Sequence, residues 1–482
     1  MFHDFIVPGL DVLIGNPNIL NPTPSPDERI EAKAKRLFIP RQYIDRLSEF
    51  STEISTRGEA ANILFGYLRR FPIQVNKVFT FYNGMEVQFT PFITLDHPSF
   101  DPKSSTEQAV MTARYLIGGL FRNGEVFTSL NITQDNLAIM TGSDRLAVHA
   151  ALEGIHVASL NPEAYTGRRK LELPYEASSL WLSNRKITPC EFADIFPDAP
   201  PLHPNEYVEF TGDYSEFHDH SFRQVGRFDL EKDSLLPLHF TSIKHSLSTI
   251  YPRNAGQAMM LEALMLPSST VPIVIVSGPF GTGKTFLSTA AALAQVANGT
   301  YERIFICPHD ATLGAEVGFL PGDKTEKARA NAQSFEDNLL TILRNHYRDL
   351  GAASSDPQKN GSPSARARSA IESMIKNGQL EFESIIRMDG RSLAETFYIL
   401  DEFQDTERYQ AKQLLGRAGE KTKVVALGDP TQTTNPHFNR YSNGLTWSMS
   451  KLAGDPAVAI VSLTIEEVTR SLAAITVAKR MK

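Results

Sequence analysis

The chain has 482 residues, 41% hydrophobic and 21% charged, an ordinary globular balance with length for roughly two to four domains. A net charge of −7 and a pI near 6.0 exclude bulk electrostatic capture of nucleic acid, so any such site must be a local basic patch. The two cysteines, Cys190 and Cys307, lie too far apart for a metal or disulfide pattern, which suits a reducing cytoplasm. The N-terminus has no basic segment with a long apolar core, and no window reaches the length of a membrane span, so neither signal peptide nor membrane anchor is expected.

In chain order, the first segment (1–164) alternates short apolar runs with helical patterns. Strands are expected at Leu10 to Ile14, Arg36 to Pro40, Leu137 to Met140 and Ile155 to Ala158. Helices are expected at Ala60 to Phe71, Thr106 to Phe121 and Arg145 to Glu153. This alternation predicts a parallel α/β domain. Acids fall at the strand ends: Asp11, Asp45, Glu107 and Asp144. Converging at the carboxyl edge of a parallel sheet, they would hold Mg²⁺ or Mn²⁺ for phosphodiester hydrolysis. Helix caps and dipole partners use the same residues, and spacing alone does not separate the two roles.

The next segment (165–236) is rich in Pro, Tyr and Phe, with short alternating runs such as Lys170 to Leu173 and Asn205 to Phe210. It predicts a small β-rich linking domain. Arg168, Arg169 and Lys170, with Arg223 and Arg227, make a basic spot, readable as a strand-binding surface or as a solvated turn.

The last segment (237–482) carries the strongest signals. Ile273 to Val276 reads as a buried strand that empties into Gly278-Pro279-Phe280-Gly281-Thr282-Gly283-Lys284-Thr285, followed by helix formers. Every fixed position of G-x-x-x-x-G-K-[ST] is met. Gly278, Gly281 and Gly283 let backbone N–H groups, with that of Thr282, curl round a polyphosphate at a helix N-terminus. Lys284 is expected on the β- and γ-phosphates of ATP, and the Thr285 hydroxyl on Mg²⁺. Phe397 to Leu400 reads as a second strand ending in Asp401-Glu402, where Asp401 would hold Mg²⁺ and Glu402 deprotonate the attacking water. A third strand, Val424 to Leu427, ends in Gly428-Asp429-Pro430-Thr431-Gln432. Asp429 is placed with the nucleotide-binding residues, and Gln432 as a γ-phosphate sensor. Gln257, before the phosphate strand, can read adenine through its amide. Arg391, Arg417 and Arg470 are candidates for an arginine finger. A loop at Val317 to Lys324 and a mobile surface excursion at Gly351 to Ser369 complete the segment.

Two resemblances follow from these residues. Leu10 to Pro17, Phe38-Ile39-Pro40 with Ile44 to Leu47, and Met140 to Asp144 with Ala150 to Ile155 resemble a PIN nuclease domain. Aligned without gaps, that family's catalytic acids fall on Gly9, Arg46, Glu107 and Ser143, with Asp11, Asp45 and Asp144 one or two residues away. These departures imply a degenerate PIN domain kept as a scaffold or RNA-contacting platform. From Pro252 to Arg470 the chain is similar to the PhoH family of RecA-like ATPases, through PRNAGQ, GPFGTGKT, EVGFLPGDKTEK, GRSLAETFYILDEFQDT and LLGRAGEKTKVVALGDPTQ. Cys307 and Asp389 stand where that family usually has Arg. The combination resembles a PIN–PhoH fusion. It implies ATP-dependent unwinding of RNA, single-stranded or duplex with an overhang, a coupled ribonuclease, and a homo-oligomeric, hexameric ring. Two alternatives stay open. One is a nucleotide-gated RNA-binding regulator without unwinding; the other is a superfamily 1 DNA helicase, suggested by DEFQDT. That group needs a second RecA-like domain, for which Asn435 to Lys482 is too short.

Overall fold

The computed structural model describes residues 4–15, 17–20, 35–53, 56–69, 78–80, 86–90, 104–118, 130, 132–141, 144–158, 165–184, 186–212, 222–240, 242–245, 248–308, 329, 332–352, 362–383, 393–434, 440 and 443–469. The chain divides into two compact units, Met1–Pro162 and Glu163–Lys482.

In the first unit, short apolar runs form the strands β1 (Phe5–Pro8), β2 (Arg36–Ile39), β3 (Val78–Thr80), β4 (Glu86–Phe89), β5 (Leu137–Met140) and β6 (His156–Ala158). They pair in the order β3-β4-β2-β1-β5-β6, all parallel except β3. Helices α1 (Leu10–Gly15), α2 (Gln42–Phe50), α3 (Thr56–Leu68), α4 (Ser105–Gly118) and α5 (Asp144–Leu152) alternate with them. Leu10 to Ile14, expected as a strand, is helix α1; the strand is the preceding Phe5–Pro8. The reason is local. Gly9 donates its N–H to Met140, ending the strand, and its carbonyl accepts from Val12 and Leu13, starting the helix. Leu10 and Leu13, three residues apart, then face the core together with Val12.

The second unit holds a four-stranded sheet of β7 (Arg168–Glu172), β8 (Tyr207–Thr211), β9 (Val225–Asp229) and β10 (Ser234–Pro237), ordered β10-β9-β8-β7. Helices α6 (Tyr175–Ser179) and α7 (Pro189–Ile195) cover it, and a two-stranded ribbon of β11 (Ile243–His245) and β12 (Ser248–Ile250) follows. Its arginines are internally neutralised. Arg168 pairs with Glu209 at 2.6 Å and Glu467 at 2.9 Å, Arg169 with Glu206 at 2.6 Å, and Arg227 with Asp229 at 2.9 Å. These three guanidiniums hold the sheet together, so the expected basic spot is largely spent on internal pairing.

Beyond it lies an all-parallel six-stranded sheet, ordered β15-β14-β16-β17-β13-β18. Its strands are β13 (Ile273–Ser277), β14 (Arg303–Cys307), β15 (Leu380–Phe382), β16 (Thr396–Leu400), β17 (Lys423–Gly428) and β18 (Val458–Ser462). Side chains alternate between two apolar layers. Val274, Val276, Phe397 and Ile399 pack toward α8 (Ala255–Met265), α9 (Lys284–Ala297), α10 (Gln333–Ala352) and α11 (Pro363–Lys376). Ile275, Tyr398 and Leu400 pack toward α12 (Arg408–Leu415) and α13 (Gly444–Lys451). Part of the expected surface excursion is the start of α11. Ser362 caps its first turn by accepting from Ala365 N–H at 3.2 Å, Pro363 takes the first helical position, and Ala367 and Ile371 are buried. The predicted loop Val317 to Lys324, together with Asp389, Arg391 and Arg470, lies outside the described residues. Among the described residues, no helix is long and apolar enough to cross a membrane.

One buried charge yields a test of this core. Lys423 is fully buried at the start of β17, and its ammonium donates to the carbonyls of Val271 at 2.9 Å and Ala263 at 3.3 Å. Burial pulls its pKa down from 10.5 to about 7. Between those values the unfolded chain holds a proton that the folded chain has released, so stability rises with pH across the window. Relative to Lys423→Met, the unaltered protein is expected to gain on the order of 2 kcal/mol from pH 7 to pH 9. Unfolding midpoints of the two proteins measure it; a gap that ignores pH means the ammonium stays charged in the fold.

Candidate nucleotide site

The site is assembled at the carboxyl edge of three adjacent strands, β16, β17 and β13. β13 ends at Ser277, and the chain turns sharply through the loop to α9. Gly278 has φ +154° and a Cβ there would lie 2.7 Å from Leu463 Cβ; Gly283 has φ +93° and a Cβ would lie 3.0 Å from Gln257 Nε2. Both positions therefore need glycine, for backbone conformation and for close approach. Lys284 folds back over the loop, donating to the carbonyls of Gly278 at 2.6 Å and Pro279 at 3.1 Å. The Thr282 side chain turns inward, its hydroxyl donating to Pro279 O at 2.8 Å. Thr285 sits in the first turn of α9, where the helix leaves its N–H groups open.

Opposite the loop, β16 delivers Asp401 and Glu402. Asp401 N–H donates to Cys307 O at 3.1 Å, extending the sheet by one bond. Burial, and then the neighbouring Glu402 charge, raise the Asp401 pKa from 3.8 to about 7, while the positive charge of Lys284 pulls it back. Asp401 and Lys284 thus already feel each other across the site. Glu402 adopts a left-handed backbone (φ +50°), uncommon for a residue with a side chain. From β17, Asp429 accepts at Oδ1 from Thr431 N–H at 2.9 Å and its hydroxyl at 2.7 Å. Its other oxygen, Oδ2, is buried with no hydrogen-bond partner among the described residues. The Gln432 side chain is exposed at the same edge.

Gln257 is buried behind the loop. Its amide donates to Thr282 O at 2.8 Å and Thr469 Oγ at 3.0 Å and accepts from Arg253 N–H at 2.9 Å. Those bonds make it a brace for the loop, and adenine reading would compete with them. Residues 463–469 complete the brace. Leu463 N–H donates to Ser277 O at 2.7 Å and Thr469 N–H to Gly281 O at 3.0 Å. The Glu467 carboxylate accepts from Gly256 N–H at 2.8 Å and from Arg168. Sequence reasoning missed this strap, because its partners Ser277, Gly281, Gly256 and Arg168 lie far away in the chain.

Arg417 does not join the site of its own chain. Its carbonyl accepts from Leu393 N–H, three residues before β16 begins, so its backbone lies at the amino edge of the sheet. Its charge favours ionisation of the buried Tyr398, whose pKa burial raises. In the first unit the four acids are placed as follows. Asp11, in the first turn of α1, accepts from the Thr141 hydroxyl at 3.1 Å. Asp45 lies in the first turn of α2; Glu107 is buried in the first turn of α4; Asp144 opens α5, its side chain outside the description. Among the described residues, no three His, Cys, Asp or Glu side chains converge in a way that could hold a metal.

A glycine-rich loop between a parallel strand and a helix, faced by an acid pair on β16, one strand removed across β17, defines a P-loop nucleotide-binding fold. Residues 249–482 match the PhoH family, under the description "PhoH-like protein", a family of P-loop ATPases. Among curated relatives, the protein PhoH2 of Bacillus subtilis is 31% identical over 305 residues, 63% of this chain and 62% of the relative. The PhoH-like protein of Synechocystis is 30% identical over 193 residues (40% and 51%), and PhoH2 of Thermobispora bispora 33% over 217 (45% and 44%). The chain thus spans less than two thirds of the length of each of these relatives.

Proposed function

We propose that this chain is a Mg²⁺-dependent ATP hydrolase that uses the energy to remodel or unwind RNA. The observation that carries the hydrolytic part is the convergence of Lys284, Thr285, Asp401, Glu402 and Gln432 on one sheet edge. The site suits a cation-bound polyphosphate. Burial and the Glu402 charge raise the Asp401 pKa, and the Asp429 Oδ2 atom has no hydrogen-bond partner among the described residues. The Thr285 hydroxyl and Asp401 would hold magnesium, which would supply positive charge to neutralise the phosphates. Lys284 exchanges its two loop carbonyls for phosphate oxygens. Glu402 orients water and takes its proton, and Gln432 registers the γ-phosphate. A neighbouring copy in a ring supplies the second wall of the site, with Arg470 as the offered finger. The first unit serves as a PIN-like, RNA-contacting scaffold rather than an assured nuclease.

ATP turnover with and without RNA, and displacement from an RNA duplex with an overhang, test the reading. Stimulation by RNA and unwinding that disappear in Glu402→Gln are expected. Robust turnover indifferent to every nucleic acid would sink the RNA half. For the first unit, metal-dependent RNA cleavage is expected to be weak or absent; strong cleavage lost in Asp11→Ala with Glu107→Ala overturns the scaffold role.

A further inference from the structure

Gln404 lies two residues past the proposed general base and is buried, 1% exposed. Its amide carries three hydrogen bonds, all to elements of the nucleotide site. Nε2 donates to Glu402 Oε2 at 2.8 Å and to Gln432 O at 3.3 Å. Oε1 accepts from Asp429 N–H at 3.0 Å. One side chain therefore ties the end of β16 to the loop leaving β17. The space it occupies is reserved by glycine, since a Cβ on Gly428 would lie 2.4 Å from Gln404 Oε1.

Two further features point the same way. Glu402 holds a left-handed backbone, φ +50° and ψ +42°, a strained conformation that persists only when its surroundings hold it. The Gln404 bond is one of the contacts that fix where this strained residue aims its carboxylate. The short helical turn Phe403–Asp405 is anchored to the same loop by a second link, Asp405 accepting from Thr434 N–H at 2.6 Å and its hydroxyl at 2.9 Å. The sensor loop and the base are thus joined twice, and of these two links it is the one through Gln404 that reaches the Glu402 carboxylate.

We infer that Gln404 is a positioning residue that couples Glu402 to the Gln432 loop, so that displacement of the loop re-aims the base. The inference rests on the hydrolysis reading above. Donation to Glu402 keeps its carboxylate in one rotamer, and donation to the Gln432 carbonyl makes that rotamer depend on the loop. Nucleotide affinity is set elsewhere, by the phosphate loop and Lys284. Loss of Gln404 therefore touches the chemical step and leaves binding alone.

The test compares Gln404→Glu and Gln404→Leu with the unaltered protein in full-length form. Gln404→Glu keeps the acceptor for Asp429 N–H and nearly the same volume, but loses both donations and sets a carboxylate beside Glu402. Gln404→Leu loses all three bonds. The measurements are kcat and KM for ATP, the affinity for a fluorescent ADP analogue, and the thermal midpoint. The expected result is a kcat reduced on the order of 10- to 100-fold in both variants, with ADP affinity within about twofold of the parent. For Gln404→Glu the thermal midpoint is expected to stay within a few degrees. Parental kcat in Gln404→Glu overturns the inference, as does a loss of turnover that only follows lost ADP binding or unfolding. If the unaltered protein binds ADP but turns over no ATP, the hydrolysis reading falls and this inference with it.

Discussion

Lys284→Ala is expected to lower ATP turnover on the order of 10³-fold, the scale of removing a preorganised charge-stabilising donor. The ammonium is poised over the loop by two backbone carbonyls and held near Asp401 by charge. Neither partner is lost with it, because the carbonyls belong to a loop whose fold rests on its glycines and on Gln257. The thermal midpoint should therefore move little while kcat collapses. Steady-state turnover together with a melting curve separates the outcomes. Retained turnover would assign phosphate stabilisation to another cation, and a lost transition would mean that the lysine holds the loop together.

Asp401→Asn should abolish turnover and, without divalent cation, make the protein more stable. Its folded pKa, about 7, lies above the ordinary 3.8, so the folded chain binds more protons between those values. Whatever stability the protonated carboxyl allows is present at low pH and lost as pH rises through 7. Above that pH the folded state carries a poorly solvated charge beside Glu402. Asparagine removes it, for a gain on the order of 1–2 kcal/mol at pH 8 after discounting for partial solvent access. The gain should shrink when Mg²⁺ and nucleotide are added, because they stabilise only the carboxylate form. Unfolding at pH 8 and pH 5, with and without Mg²⁺, decides it. A destabilised variant at pH 8 would mean that the carboxylate is already well satisfied by its neighbours. Stability given up for a charged site is the expected pattern at a functional centre.

The nucleotide half of the molecule was largely legible from local signals. Ile273 to Thr285 and Phe397 to Glu402 carry their own strand, turn and charge chemistry within a dozen residues, so they survive folding unchanged. The front of the chain was less legible. Leu10 to Ile14 has the composition of a strand, yet the Gly9 carbonyl, accepting from the N–H groups of Val12 and Leu13, starts a helix there. A short apolar run satisfies either period, and only the pairing of Phe5–Pro8 with β2 and β5 decides between them. Arg168 and Arg169 looked like a basic surface because their partners Glu206, Glu209 and Glu467 are dozens to hundreds of residues away.

By itself the sequence determined that a glycine-rich loop joins a buried strand to a helix, that Lys284 and Thr285 follow it, and that an acid pair ends a second strand. Those are short-range matters of backbone freedom, helix polarity and strand burial. The tertiary structure decided what surrounds that chemistry. It set Gln257 behind the loop as a brace rather than in the open, and drew residues 463–469 across the loop's back. It also sent Arg417 to the far edge of the sheet and closed Gln404 over both Glu402 and the Gln432 loop. Each of these depends on which strands become neighbours, a long-range choice made by burying two apolar layers at once, and no local pattern encodes it.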